Sequence, residues 1–211
     1  MKRISYQIFL PAAAMALAVV AGCAKTVMVP PRVDLDAYRT IGFVAFSSNS
    51  EGNLAEFAGQ KFLETLQSSQ AGVRVLELGP KAHVLASVRG ERFDHETIRA
   101  IGERYHVEAL IVGHLEVTDV KPTVDLSAIL ATMSVSADVE ASLTTRLYET
   151  DSGATAWTNS VRGKKNVAHV GITPRGPVRF GADDPEDAYG KLVNGLVYAN
   201  TRDFRVRFVK Q

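Results

Sequence analysis

Residues 135–147 read VSADVEASLTTRL, and this alternation decides the fold. Val135, Ala137, Val139, Ala141, Leu143 and Leu147 fall on one side of an extended chain, and Asp138, Glu140, Ser142, Thr144 and Arg146 fall on the other. Successive side chains of a strand point to opposite faces. An alternation of this length therefore predicts an antiparallel sheet with one packed face and one wet face. Upstream, residues 107–120 repeat the pattern as a long strand. The odd positions Val107, Ala109, Ile111, Gly113, Leu115 and Val117 are apolar; the even ones are mostly polar, with Leu110 and Val112 as exceptions. Downstream, Asp151, Ser152 and Gly153 supply a turn into a further strand over 154–161, centred on Trp157.

Further out, residues 41–46 (IGFVAF) are apolar on both sides, as expected of a strand covered on two faces. Leu54, Phe57, Ala58, Phe62 and Leu66 recur at helical spacing, with polar residues between them. A strand over 73–78 and a weaker helical pattern around 81–88 follow. Asp94 is placed to cap a helix carrying Ile98, Ile101 and Tyr105. Asp184, Pro185 and Asp187 open a last helix with Ala188, Leu192, Leu196 and Ala199 as its buried stripe, running to about residue 203. The order strand, helix, strand, helix, strand, strand, strand, helix predicts one α+β domain: a mixed, largely antiparallel sheet with helices packed mainly on one face.

The N-terminus carries an address. Lys2 and Arg3 precede an apolar stretch from Ile8 to Val20, which is the layout of an export signal and short for a bilayer span. It ends in Val20-Ala21-Gly22-Cys23, the pattern of a bacterial lipoprotein signal, in which the Cys23 thiol takes the diacylglycerol. A triacylated cysteine, palmitate among its chains, is essentially a permanent anchor at about 0.8 kcal/mol per buried methylene. Ala24 stands where an inner-membrane retention signal would carry Asp, which favours the outer membrane, with the protein facing the periplasm. The expected organisation is a signal peptide at 1–22, a lipid-anchored tether at 23–37 and a periplasmic domain at 38–211.

Charge and composition exclude several classes. The chain has 24 basic and 23 acidic residues, and loss of Lys2 and Arg3 leaves 22 basic ones, so nucleic acid is not an expected partner. At 46% hydrophobic and 22% charged residues, general disorder is excluded. Cys23 is the one cysteine, so no disulfide framework, cysteine zinc site or CxxC pair is available. His83, His95, His106, His114 and His169 form no HxxxH or HExxH pattern. His106 and His114 share a strand face about 26 Å apart, too far to share a metal, and Glu108 and Glu116 are separated in the same way. With no GxSxG, phosphate-binding loop or dinucleotide fingerprint either, no cofactor, no metal and no catalytic set is expected.

One segment stands out. Residues 162–182 contain Arg162, Lys164, Lys165, Arg175 and Arg179 with no acidic residue, four glycines and two prolines. This reads as a surface loop. It is either a contact for an anionic partner (a protein patch, lipid headgroups or an anionic polymer) or a solvated connection.

Three stretches resemble the CsgG/LpoB/PelC-like superfamily of outer-membrane lipoproteins: Ile41 to Phe46; Gly102 with Val107-Glu108-Ala109-Leu110-Ile111-Val112-Gly113; and Leu147 through Asp151-Ser152-Gly153 to Trp157. In order, behind a lipoprotein signal, they cover most of 38–204. The resemblance implies a periplasmic α+β domain that binds partners or assembles into rings. Pore-forming members insert extra membrane-spanning hairpins, and here 122–133 offers at most one such strand. The expected function is thus that of a non-enzymatic accessory or assembly factor of an envelope machine (secretion, polymer export or cell-wall synthesis), binding an envelope protein or anionic polymer, with a homo-oligomer possible. The alternatives are a ring-forming secretion-channel component and an envelope-polymer hydrolase. For the hydrolase, Asp138, Glu140, Glu108 and His114 are the candidate acid and base groups, and the polar face around Asp138, Glu140 and Arg146 is the second candidate binding surface.

Overall fold

The computed structural model describes residues 26–123, 136–171 and 178–210. They fall into two units, Arg32–Arg205 and a smaller one drawn from both ends of the chain. The larger unit is an α+β domain built on β2 (Ile41–Ser48), β4 (Val75–Pro80), β5 (Ala109–Thr123), β6 (Ser136–Glu149) and β7 (Thr155–Val167), in the sheet order β4-β2-β5-β6-β7. β2 runs parallel to both of its neighbours, whereas β5, β6 and β7 are mutually antiparallel. The helices are α1 (Leu54–Ser69), α2 (Lys81–Ser87), α3 (His95–Tyr105) and α4 (Pro185–Asn200). A small sheet joins β3 (Glu51–Gly52), β9 (Arg179–Phe180) and β8 (Val170–Gly171).

The two 16-residue helices α1 and α4 cover one face, burying Phe57, Phe62 and Leu66 together with Leu192 and Leu196 against the inward residues of the sheet. Aromatic rings run through this layer: Phe43–Phe46 at 5.2 Å, Phe46–Phe62 at 5.3 Å, Phe62–Phe204 at 6.3 Å and Phe204–Trp157 at 4.6 Å. Each buried ring contributes about 1.5–3 kcal/mol relative to exposure. Phe46 reaches this layer through a bulge. The pairing of β2 with β5 shifts between Val44 and Ser47, which lets Phe46 join Phe43 on the packed face. Gly113 lies beneath its ring, and a Cβ there would stand 2.3 Å from Phe46 Cε1.

On the opposite face, α2 and α3 cover one end of the sheet, where Val44, Leu78, Val84, Ile98, Ile101, Leu110 and Tyr148 form a second cluster. Leu110 and the half-buried Val112, the exceptions in the 107–120 alternation, are apolar because they lie under this cover. The caps form as read from the sequence: Asp94 accepts from the Thr97 N–H at 3.0 Å and Asp184 from the Asp187 N–H at 3.1 Å. α4 stops at Asn200 and passes into a 3-10 turn, Thr201–Phe204.

Several boundaries differ from expectation. β5 begins at Ala109 because His106 adopts a left-handed conformation (φ 54°) that ends α3. β7 runs six residues past the expected end at 161. The folded unit starts at Arg32, and within the expected tether Leu35 is fully buried, its N–H donating to Gln70 Oε1 at 2.7 Å. The expected strand over 122–133 lies, from residue 124 on, outside the described residues. In the smaller unit, β1 (Thr26–Val29) pairs antiparallel with β10 (Arg207–Lys210). Among the described residues, no helix is long and apolar enough to cross a membrane.

Candidate functional site

Beyond the cover of α2 and α3, the outward face of β5, β6 and β7 is a polar surface laid out in cross-strand rows. His114 lies opposite Thr144 and Thr144 opposite Ser160; Glu116, Ser142 and Arg162 form the next row, and Asp119, Glu140 and Lys164 the one after. Directly paired residues share a face, so each row places three side chains side by side. Ser47 Oγ lies 3.0 Å from His114 Nδ1, and Thr144 Oγ1 lies 2.8 Å from Ser160 Oγ. Further along, charges of opposite sign alternate: Arg162 Nε to Glu140 Oε1 at 3.5 Å, Lys164 Nζ to Asp138 Oδ2 at 3.4 Å, and Lys121 Nζ to Asp119 Oδ2 at 3.2 Å. Asn166 Nδ2 donates to Asp138 Oδ1 at 3.1 Å. This bond first, and the Lys164 ammonium second, hold the Asp138 carboxyl below its usual range. An acid held ionised in this way is matched to accepting hydrogen bonds and not to delivering protons near neutral pH.

This geometry corrects the reading of the basic segment. Residues 162–167 are the last turns of the pleat of β7, not the start of a surface loop, because Val161, Gly163 and Val167 continue an inward row that the lysines mask in the sequence. Nor is the charge uncompensated. Arg162 and Lys164 face the acids of β6, and Arg179 makes a two-pronged contact with Glu51 Oε2, at 3.0 Å from Nε and 2.6 Å from Nη2, in the small sheet. Lys165 is exposed, opposite Val139. Arg175 lies outside the described residues, as does the lipidation residue Cys23. The structure thus brings Arg162 and Lys164 together with Glu140 and Asp138, leaves Arg146 further along the same face opposite Thr158, and sets Arg179 apart. The outward row Thr158, Ser160 and Asn166 was missed, although the two-residue spacing of Val161, Gly163 and Val167 carries the signal for it.

At the other end of the sheet an open cleft of about 780 Å³ is lined by Tyr38, Arg39, His106, Glu108, Glu149 and Asp151, among others. Glu108 accepts from the Arg39 backbone N–H at 2.8 Å and from Arg39 Nε at 2.5 Å, and these two bonds, in that order, keep its carboxyl below its usual range. Burial, then the Glu149 charge, raises the Tyr38 hydroxyl. The cleft wall is held by a close approach: Thr150 Oγ1 donates to the Val107 carbonyl at 2.5 Å, and a Cβ at Gly102 would lie 2.4 Å from Thr150 Cβ. Gly153 turns at φ +71°, where a Cβ would meet the His95 carbonyl oxygen at 2.6 Å. Gly102, Gly113 and Gly153, all within the stretches that resemble the lipoprotein superfamily, are therefore explained by packing.

The four candidate acid and base groups are dispersed. Glu108 lies in the cleft, His114 sits on the outward face two rows from Glu140, and Asp138 is bound to Asn166 and Lys164. Among the described residues, no group of three or more His, Cys, Asp or Glu side chains is placed to hold a metal ion.

No family model and no curated protein sequence matches the chain. Solved structures are similar in shape. The PelC dodecamer subunit from Paraburkholderia phytofirmans is matched over 87% of this chain and 98% of its own, at 12% identity and a TM-score of 0.47. Lipoprotein GNA1162 from Neisseria meningitidis is matched over 60% of this chain and 83% of its own, at 15% identity and a TM-score of 0.37. The LpoB C-terminal domain from Escherichia coli is matched over 63% and 88%, at 9% identity and a TM-score of 0.38.

Proposed function

We propose that this protein is an outer-membrane lipoprotein, anchored through acylated Cys23 and facing the periplasm, that serves without turnover as an accessory or assembly factor of an envelope machine for secretion, polymer export or cell-wall synthesis. The observation that carries the reading is the uncovered polar face of β5, β6 and β7. Among the described residues no helix packs over this face, and its interleaved charges suit recognition by complementarity, which sets partner choice and encounter rate. The lipoprotein pattern at 20–23 supports the location. Of the basic residues singled out in the sequence, Arg162 and Lys164 enter the site as halves of ion pairs, whereas Lys165, paired with inward-facing Val139, and Arg179, paired with Glu51, stand outside it.

A charge swap tests this. Glu140→Arg with Arg162→Glu keeps the pair but inverts its pattern toward a partner, so stability should change by no more than about 0.5 kcal/mol while the variant fails to complement a deletion strain. Full complementation overturns the assignment of this face. Cys23→Ser should leave the protein out of the outer-membrane fraction. Loss of turnover with binding intact after Ala substitution at Asp138, Glu140, Glu108 or His114 would establish the hydrolase, and conductance in planar bilayers would establish the channel.

A further inference from the structure

The exposed apolar side chains of the ribbon formed by β1 and β10 have no role in the reading above. Its register pairs Met28 with Phe208, Val27 with Val209, Val29 with Arg207 and Thr26 with Lys210. Met28 and Phe208, directly opposite and on one face, are 64% and 69% exposed, and Val209 is 50% exposed. An isolated two-stranded ribbon is marginal in water. Adjacent large apolar side chains on such an element mark a surface that something covers.

Covalent geometry selects the occupant. Three peptide steps separate Cys23 from Thr26, a reach of at most about 11 Å. The headgroup layer of each leaflet is about 5–8 Å thick. A chain whose Cys23 carries acyl chains therefore cannot take Thr26 more than a few ångströms beyond the headgroups, and Met28 lies two residues further on. Phe208 is preceded by the exposed Arg207, a cation that suits anionic headgroups beside an inserted ring.

We propose that the Met28 and Phe208 face of this ribbon is a second membrane contact, seated in the interfacial layer of the leaflet that holds Cys23. The proposal rests on the lipoprotein reading. It gives the ribbon an orientation on the leaflet that flexible acyl chains alone do not supply.

The test uses the full-length protein processed in cells. Acylation occupies Cys23, so a cysteine introduced by Met28→Cys or Phe208→Cys is the one free thiol and takes an environment-sensitive fluorophore. Thr158→Cys, on the polar sheet face, is the reference. The proteins are reconstituted into vesicles of phosphatidylethanolamine and phosphatidylglycerol with or without brominated acyl chains. Emission from positions 28 and 208 should shift to the blue and be quenched severalfold more than emission from position 158, independently of the number of copies per vesicle. Equal quenching at all three positions, in protein whose N-terminal peptide carries the acyl mass, overturns this proposal alone. Burial that appears only at high copy number, with crosslinks between the 208 positions of two chains, also overturns it in favour of a second copy as the cover. Absence of the acyl mass overturns both readings.

Discussion

β2 and β6 belong to one sheet and face opposite demands. β2, parallel to both neighbours, is buried on its two sides over Ile41–Val44, and its sequence is continuously apolar. β6, antiparallel to both neighbours, buries every second residue and leaves the others half-buried or exposed beyond the cover of α2 and α3. The difference teaches that cover and not strand identity sets the pattern: crossover helices shield the parallel half on both faces, while the hairpin-connected half is left half bare. Stability should therefore be concentrated on one side of β6 and recognition on the other.

The strongest way to break that contrast is to empty the packed side. Phe62→Ala, at a ring fully buried between Phe43, Phe46 and Phe204, should cost about 3–5 kcal/mol, read from urea unfolding midpoints. A loss below about 1 kcal/mol would mean that the aromatic layer is not the core. Gly113→Ala tests the same layer from the strand side: a methyl driven against the Phe46 ring should cost about 1–3 kcal/mol, with the unfolding transition still cooperative. Thr145, the polar break in the inward row of β6, is fully buried with its hydroxyl unpartnered among the described residues. Thr145→Val should stabilise by up to about 1 kcal/mol, since removing an unsatisfied buried group relieves its desolvation.

The smallest effect belongs to the wet face. The Asp138 carboxyl titrates below its ordinary value near 3.8, so the unfolded chain takes up the proton first as pH falls. Its contribution to stability is fully present above that ordinary value and is lost as pH drops through the lowered folded value. Asp138→Asn should therefore flatten the acid limb of a stability-against-pH curve while leaving neutral stability nearly unchanged. A large loss at neutral pH would erase the contrast between the two sides of the strand.

How far this was legible in the sequence follows from which signals are local. The alternation of β6, the stripe of α1 and the caps at Asp94 and Asp184 are local patterns, and the structure reproduces them. The end of β7 was not legible, because Arg162, Lys164 and Lys165 read as loop until Glu140 and Asp138 are placed beside the first two by the pairing with β6. The candidate face was half legible. Its β6 row is written in the alternation, but the β7 row and the Ser47 contact to His114 depend on register and on the bulge after Val44, which are properties of pairs of strands. β1 and β10 pair residues from opposite ends of the chain, and no local pattern announces that.

The seat of Phe46 over Gly113 also constrains how such a chain can vary by descent. A side chain at position 113 is tolerable only after the ring at 46 has shrunk, and a shrunken ring leaves a void until position 113 gains bulk, so each single step is worse than either end. Such a pair is inherited as one character. Among divergent relatives the two positions should change together or not at all, and a lineage that has lost the glycine should show, at the bulge one strand away, a smaller residue in place of the phenylalanine.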